Sequence, residues 1–167
     1  MIALDLCNNA LALLCEPPIS GIDPNGNLRQ RMCYLHYHPV RRETLCLAPW
    51  LFSTKTATLD SFATEDPDGH AIPHTIPNDA IRIWKCNAPG WTQRNRQIFA
   101  RPQKIEIEYT RDEENLDLWS ADALHLFTHM LAAKMCVPLI NNTTLRTELL
   151  AKHGAKLQTI QQTNPKS

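Results

Sequence analysis

The sequence has little glycine, no C-x-x-C pair, no surplus of either charge and no long unbroken apolar run. Each lack closes a class of function. Five glycines leave little material for a phosphate-cradling loop, and G-x-G-x-x-G, G-x-x-x-x-G-K-[ST] and G-x-S-x-G are all missing. The six cysteines, at 7, 15, 33, 46, 86 and 136, offer no paired spacing for a metal site. They read as free thiols rather than disulfides, with Cys7, Cys15 and Cys136 among helical apolar positions where a thiol acts as a small hydrophobe. Seventeen basic residues balance seventeen acidic ones, so net charge does not make the whole chain a polyanion binder. No apolar run approaches the roughly 18 residues of a membrane span, and no membrane partner is expected. Asp5, Asn8 and Asn9 stand where a secretion signal requires basic residues and then a clean apolar stretch, so synthesis in the cytoplasm is expected.

What is present fits one domain. At 167 residues with 43% apolar side chains the chain can bury a real core. Residues 2–15 have a helical stripe of Leu4, Cys7, Leu11, Leu14 and Cys15, stopped by Glu16-Pro17-Pro18. Asp23, Pro24, Asn25 and Gly26 form a turn, and Asn27 caps a second helix to about residue 47. Leu28, Met32, Leu35, Leu45 and Cys46 mark its apolar side, with Pro39 bending it.

The middle third then changes character. Residues 54–62, 80–86, 97–101 and 104–110 read as strands, the last with plain alternation, and Asp66-Pro67-Asp68-Gly69 as a turn. From Asp112 the helical period returns, with Trp119, Ala123, Leu126, Phe127, Met130 and Leu131 on a wide face ending near Pro138. A last helix begins near Asn142 and weakens at Gly154. The expected fold is α+β: a small antiparallel helical bundle with a β-rich insertion between the second and third helices. The helical parts are 2–50 and 113–160, the insertion 54–111, and a flexible tail 154–167.

Candidate chemistry is sparse. Asp122, His125 and His129 share one side of a helix, which suits metal ligands, but HLFTH lacks the general base of H-E-x-x-H. Glu106 and Glu108 share a strand face and read as solvated carboxylates. No metal, cofactor or catalytic residue is assigned. The charge order says more. From residue 80 to 104 the chain carries Arg82, Lys85, Arg94, Arg96, Arg101 and Lys104 with no acid. From 105 to 122 it carries seven acids against Arg111. Such adjoining blocks either neutralise each other internally or serve a head-to-tail contact between copies. A further reading takes the basic block with Trp84 and Trp91 as a nucleic-acid surface.

The order of segments resembles a known family. LDLCNNALALLCEPPIS at 4–20, YHPVRRETLCLAPWLFSTKTATL at 37–59, IPNDAIRI at 76–83, the Tyr-ending strand at 104–110 and the long helix at 118–136 are similar, in this order, to the tail tubular protein A family. These are the head-to-tail adaptors of short-tailed phages and related prophages. The resemblance departs at Cys15, where the family usually has Gly, and at His70 and His74, where aromatics are usual. It implies a structural, non-enzymatic subunit of a ring, usually of twelve copies, at the head–tail interface of a virion. The ring lies beneath the portal protein, above a downstream tail or nozzle protein, and DNA passes through without sequence-specific binding.

Arg41, Arg42, Trp50 and Arg82 carry the resemblance. Trp50 is expected at the seam between bundle and insertion, and Arg41, Arg42, Arg82, Arg94, Arg96, Glu113, Glu114, Lys152, Lys156 and Lys166 in subunit or portal contacts. Residues from about Gly154 onward are expected to order on entering the portal. Two rival functions follow from the residues: a monomeric module that binds nucleic acid through 80–104, and a metal-dependent hydrolase using Asp122, His125 and His129.

Overall fold

A computed structural model describes residues 1–63 and 70–163. It has four helices and two small antiparallel sheets, with every strand between the second and third helices, which makes the fold α+β. The chain divides into two compact units, residues 1–48 with 114–167 and residues 49–113. The turn expected at 66–69 lies outside the described residues.

In the helical unit, α1 spans Ala3–Leu13, α2 Leu28–Leu45, α3 Ala121–Ile140 and α4 Thr143–Thr163. α3 packs against each of the other three, and its charged residues Asp122 and Lys134 are exposed between those neighbours. Its buried residues (among them Ala123, Leu126, Phe127, Leu131 and Met135) cover most of its circumference. This corrects the expectation that no segment suits a membrane: α3 is long and apolar enough to cross one by length and composition alone. Its place at the centre of a bundle accounts for that composition. The helix also runs on through Pro138 to Ile140, where Asn141 ends it in the left-handed region at φ 49°.

Local chemistry sets the helix ends. Asn27 accepts from the Gln30 backbone N–H at 3.1 Å, and the Gln30 side chain accepts from Asn27 N–H at 2.9 Å, a reciprocal capping box at the start of α2. Asn8 holds both backbone groups of Ile19, at 2.9 and 3.2 Å, and so folds the segment after α1 back along it. α1 ends before its prolines. Cys15 N–H bonds Ala12 O at 3.1 Å and Glu16 N–H bonds Leu11 O at 3.0 Å, with Cys15 left-handed at φ 56°. That pairing is a Schellman ending, which favours glycine at the residue cysteine occupies. Cys15 is accordingly exposed, and not in the apolar stripe where it was expected.

Two further corrections concern helices. The buried side of α2 is Cys33, Tyr37, Val40, Arg41, Thr44 and Leu45, while Leu28 and Leu35, expected inward, are exposed. And α4 continues through Gly154 to Thr163 with Ile160 buried, so residues 154–163 are ordered helix where a flexible tail was expected.

In the other unit, β1 (Thr54–Asp60), β3 (Ala80–Cys86) and β6 (Lys104–Arg111) form one sheet in the order β1-β6-β3. β2 (Ile72–Thr75), β4 (Thr92–Arg94) and β5 (Gln97–Ala100) form the other in the order β2-β5-β4. β2 and β4 have only four and three residues, too few for alternation to show. Leu59, Ile105, Ile107 and Tyr109 of the first sheet share a core with Ile98 and Ala100 of the second. The Thr54–Thr110 pairing and the Arg111 N–H bond to Ser53 O at 2.8 Å bring the two ends of the insertion together.

Cys15→Gly relieves the left-handed strain and raises the urea midpoint by the equivalent of ~1 kcal/mol. A midpoint equal to or below that of the parent protein contradicts the Schellman reading.

Candidate functional site

The opposed charge blocks touch where β3 pairs with β6. β3 and β6 are antiparallel neighbours, so Lys85 faces Glu108, with 3.9 Å between ammonium and carboxylate. Arg111 pairs with Glu113, and Lys55 with Asp79 at 3.5 Å. Arg82 lies over the Trp84 ring at 4.1 Å, a cation–π contact, while the Trp84 indole N–H donates to Thr110 Oγ1 at 2.7 Å. Trp91 packs against the sheet core. Arg94 stands 6.0 Å over Phe99, and the Arg96 guanidinium donates to Pro77 O. A nucleic-acid platform needs aromatic faces open to bases. Trp84 is covered by Arg82, and Trp91 is engaged with the core.

Two segments that carry the family resemblance meet in this unit. The Tyr109 hydroxyl donates to Asp79 Oδ1 at 3.2 Å, and Asp79 O accepts from Asp112 N–H at 2.8 Å. Burial and the neighbouring Asp79 carboxylate push the Tyr109 hydroxyl above its ordinary pKa. Ile76 is buried, and Ala80 N–H closes a turn onto Pro77 O at 3.1 Å. The sequence IPNDAIRI therefore works as a knot that sets the start of β3.

His74 is fully buried, and its ring serves as a hub for the backbone. Nδ1 lies 3.1 Å from Ile72 O and 3.3 Å from Ile98 O, and Nε2 lies 3.1 Å from Gln103 O. An aromatic hydrocarbon, as the resemblance has here, would fill the space but offer these carbonyls no donor.

The helical unit gathers histidines between α3 and α4. The His125 and His129 rings stack at 4.0 Å, and His129 Nδ1 lies 3.0 Å from His125 O. Asp122 is held by Lys156 at 2.6 Å. Among the described residues no group of three His, Cys, Asp or Glu has the geometry to hold a metal ion. The set Asp122, His125 and His129 is thus a helix flank with its carboxylate already paired. The remaining member of this cluster is His153, which the sequence reading passed over. It is buried with its Nε2 making no hydrogen bond. Continuing the Leu145 and Leu149 stripe by one turn reaches it, which is the signal that would have found it.

The other expected site residues divide by burial. Arg41 is only 2% exposed and bonds Glu114 Oε1 at 3.3 Å, and Glu113 is buried too, so neither offers its side chain as a surface contact. Arg42, Glu114 and Lys152 are exposed. Lys156 is engaged with Asp122, and Lys166 lies outside the described residues. Trp50 is buried, with its ring stacked on Phe52 at 6.0 Å. All six cysteines are free. Cys7 and Cys33 are buried, and Cys33 Sγ donates to Met135 Sδ at 3.6 Å; the interaction between the two thiols raises that of Cys7 and lowers that of Cys33. No protein-family model matches the sequence, and a search of curated proteins finds no match.

Two outcomes follow from the histidines. His74→Phe destabilises the β-rich unit by ~1–3 kcal/mol, because buried carbonyls lose their donor; an unchanged urea midpoint contradicts the hub. In the helical unit, burial chiefly holds His153, His125 and His36 below the ordinary histidine pKa of about 6.5. For His153, the nearby His129 and His125 push the same way and Glu43 opposes them. The unfolded chain then binds more protons near pH 6, so stability is full above that range and declines as pH falls through it. The urea midpoint is expected to be lower at about pH 5.5 than at about pH 7.5, with a smaller drop in His153→Gln. Equal midpoints for the parent protein at the two pH values contradict this linkage.

Proposed function

We propose that this protein is a structural head-to-tail adaptor of a phage or prophage, a non-enzymatic subunit that assembles as a ring of about twelve copies beneath the portal. The observation that carries this reading is the contact between Asp79 and Tyr109. Those residues belong to two of the segments through which the chain resembles the adaptor family, thirty positions apart, and they bond in the folded chain. The helix–insertion–helix order supports it as well. So does the left-handed Cys15, which stands at the position where the resembled family has glycine.

One part of the expected mechanism changes. Residues 154–163 are already helical, with Ile160 buried and Lys156 tied to Asp122. Removing residues 155–167 would therefore strip packing from the helical unit. Attachment to the portal is assigned to folded surfaces, and the insertion is assigned to the tail side. DNA is expected to slide through without sequence-specific contacts, since accumulated phosphate contacts would retain it.

Mass photometry of the protein mixed with its cognate portal ring tests this. A portal mass raised by an integral set of about twelve subunits is the expected result. A portal that stays unshifted across salt concentrations overturns the adaptor reading. Salt-sensitive DNA binding by the same protein would then favour the nucleic-acid module.

A further inference from the structure

Among the described residues, eight large apolar side chains are exposed, and six of them lie in the helical unit. They fall into two groups of opposite charge. Leu28, Tyr34 and Leu35 are 44, 51 and 57% exposed on the outward side of α2. Leu28, Arg31, Leu35, His38 and Arg42 recur there in alternating steps of three and four, the spacing of a helix-pairing seam. All five are exposed, and no carboxylate interrupts the stripe. Glu43, just beside it, turns to Lys134 at 3.8 Å.

The second group surrounds the start of α1. The Met1 nitrogen bonds the Asp117 carboxylate, which seats Met1 and Ile2 beside the 3-10 turn Leu116–Leu118. Met1, Ile2 and Leu118 are 46, 62 and 50% exposed. Asp5, Glu114 and Asp117 are exposed with them; the Met1 ammonium offsets Asp117 and Arg41 offsets Glu114, so Asp5 gives the tip its net negative charge. The Arg41–Glu114 bond fixes this acidic tip near the C-terminal part of α2. Leu28 precedes Arg41 by thirteen residues on that helix, roughly 20 Å at 1.5 Å per residue. The acidic tip therefore adjoins the Arg42 end of the stripe and stands apart from its Leu28 end.

We infer that the exposed face of α2 is the docking surface for a second copy of this chain, which presents its acidic tip of Met1, Ile2 and Leu118. The apolar side chains lose water on contact, and opposite charges at the rim set the register. Because the two patches differ, the contact is heterologous and propagates from copy to copy until it closes into a ring or extends as a filament. The choice of a second copy as occupant rests on the ring proposed above.

The test uses the full chain without portal, by sedimentation velocity over a concentration series. The parent protein is expected to associate, and less so at high salt. Leu35→Glu places a carboxylate in the basic stripe, and Leu118→Lys places an ammonium in the acidic tip. Each variant alone is expected to lose association, and an equal mixture to regain it, because the new charges oppose one another across the interface. Arg31→Glu and Asp5→Lys form a second pair with the same logic, should either first variant lose its circular-dichroism melt.

A parent protein that stays monomeric throughout, variants that associate like it, or a mixture that fails to recover each overturns the proposal. Loading onto the portal is read separately. Variants that load as the parent does leave the adaptor standing and remove this surface. Free association without portal loading supports the surface and removes the adaptor.

Discussion

Everything in the helical unit depends on covering α3. A helix of 20 residues with apolar side chains on most of its circumference is stable in water only if neighbours close over each side. Those neighbours come from both sides of the β-rich insertion: α1 and α2 precede it, and α4 follows α3. The insertion must therefore leave the chain close to where it entered. β1 and β6 meet that demand by pairing along their whole length, so Thr54 lies opposite Thr110 and Ser53 receives the Arg111 amide. Loop closure is the entropic cost of any long insertion, and here a two-strand ladder offsets it with backbone hydrogen bonds.

That arrangement explains what the sequence made legible. β6 read cleanly because Ile105, Ile107 and Tyr109 face a core while Glu106 faces solvent, a one-sided burial that produces alternation. α3 read cleanly because so much of it is buried. α2 did not, because its inward side carries Arg41 and Thr44 among the apolar residues while Leu28 and Leu35 face out. Periodicity ranks positions by hydropathy, and on this helix hydropathy and burial part company. The end of α4 was illegible for a related reason: Gly154 lowers helix propensity by about 1 kcal/mol relative to alanine, but Ile160 and the Lys156–Asp122 pair supply tertiary anchors beyond it.

Polar residues that looked functional in the sequence are largely structural in the fold. β3 of the basic block and β6 of the acidic block are neighbouring strands, and Lys85 meets Glu108 across them. Asp79 organises a turn, His74 sits among three carbonyl oxygens, and Arg41 is buried. The candidate metal set shows the same economy, since its carboxylate belongs to a lysine on α4. Residue type and spacing proposed chemistry at these places, whereas burial and pairing assign them to holding the fold.

What remains for recognition is what folding leaves unused. Once α3 is covered, the apolar residues still in water are concentrated at two places on the helical unit, one edged by arginines and the other by carboxylates. A helix whose misplaced leucines served only to blur the sequence pattern thereby acquires a reason for them. Leu28 and Leu35 stand outside the buried core, 44 and 57% exposed, yet they repeat at the spacing that helices use to pair. A monomer would be more soluble with polar residues at both, and natural surfaces seldom gather exposed apolar groups without a partner to cover them. The feature that most misled the reading of α2 is thus also the one that points furthest toward assembly.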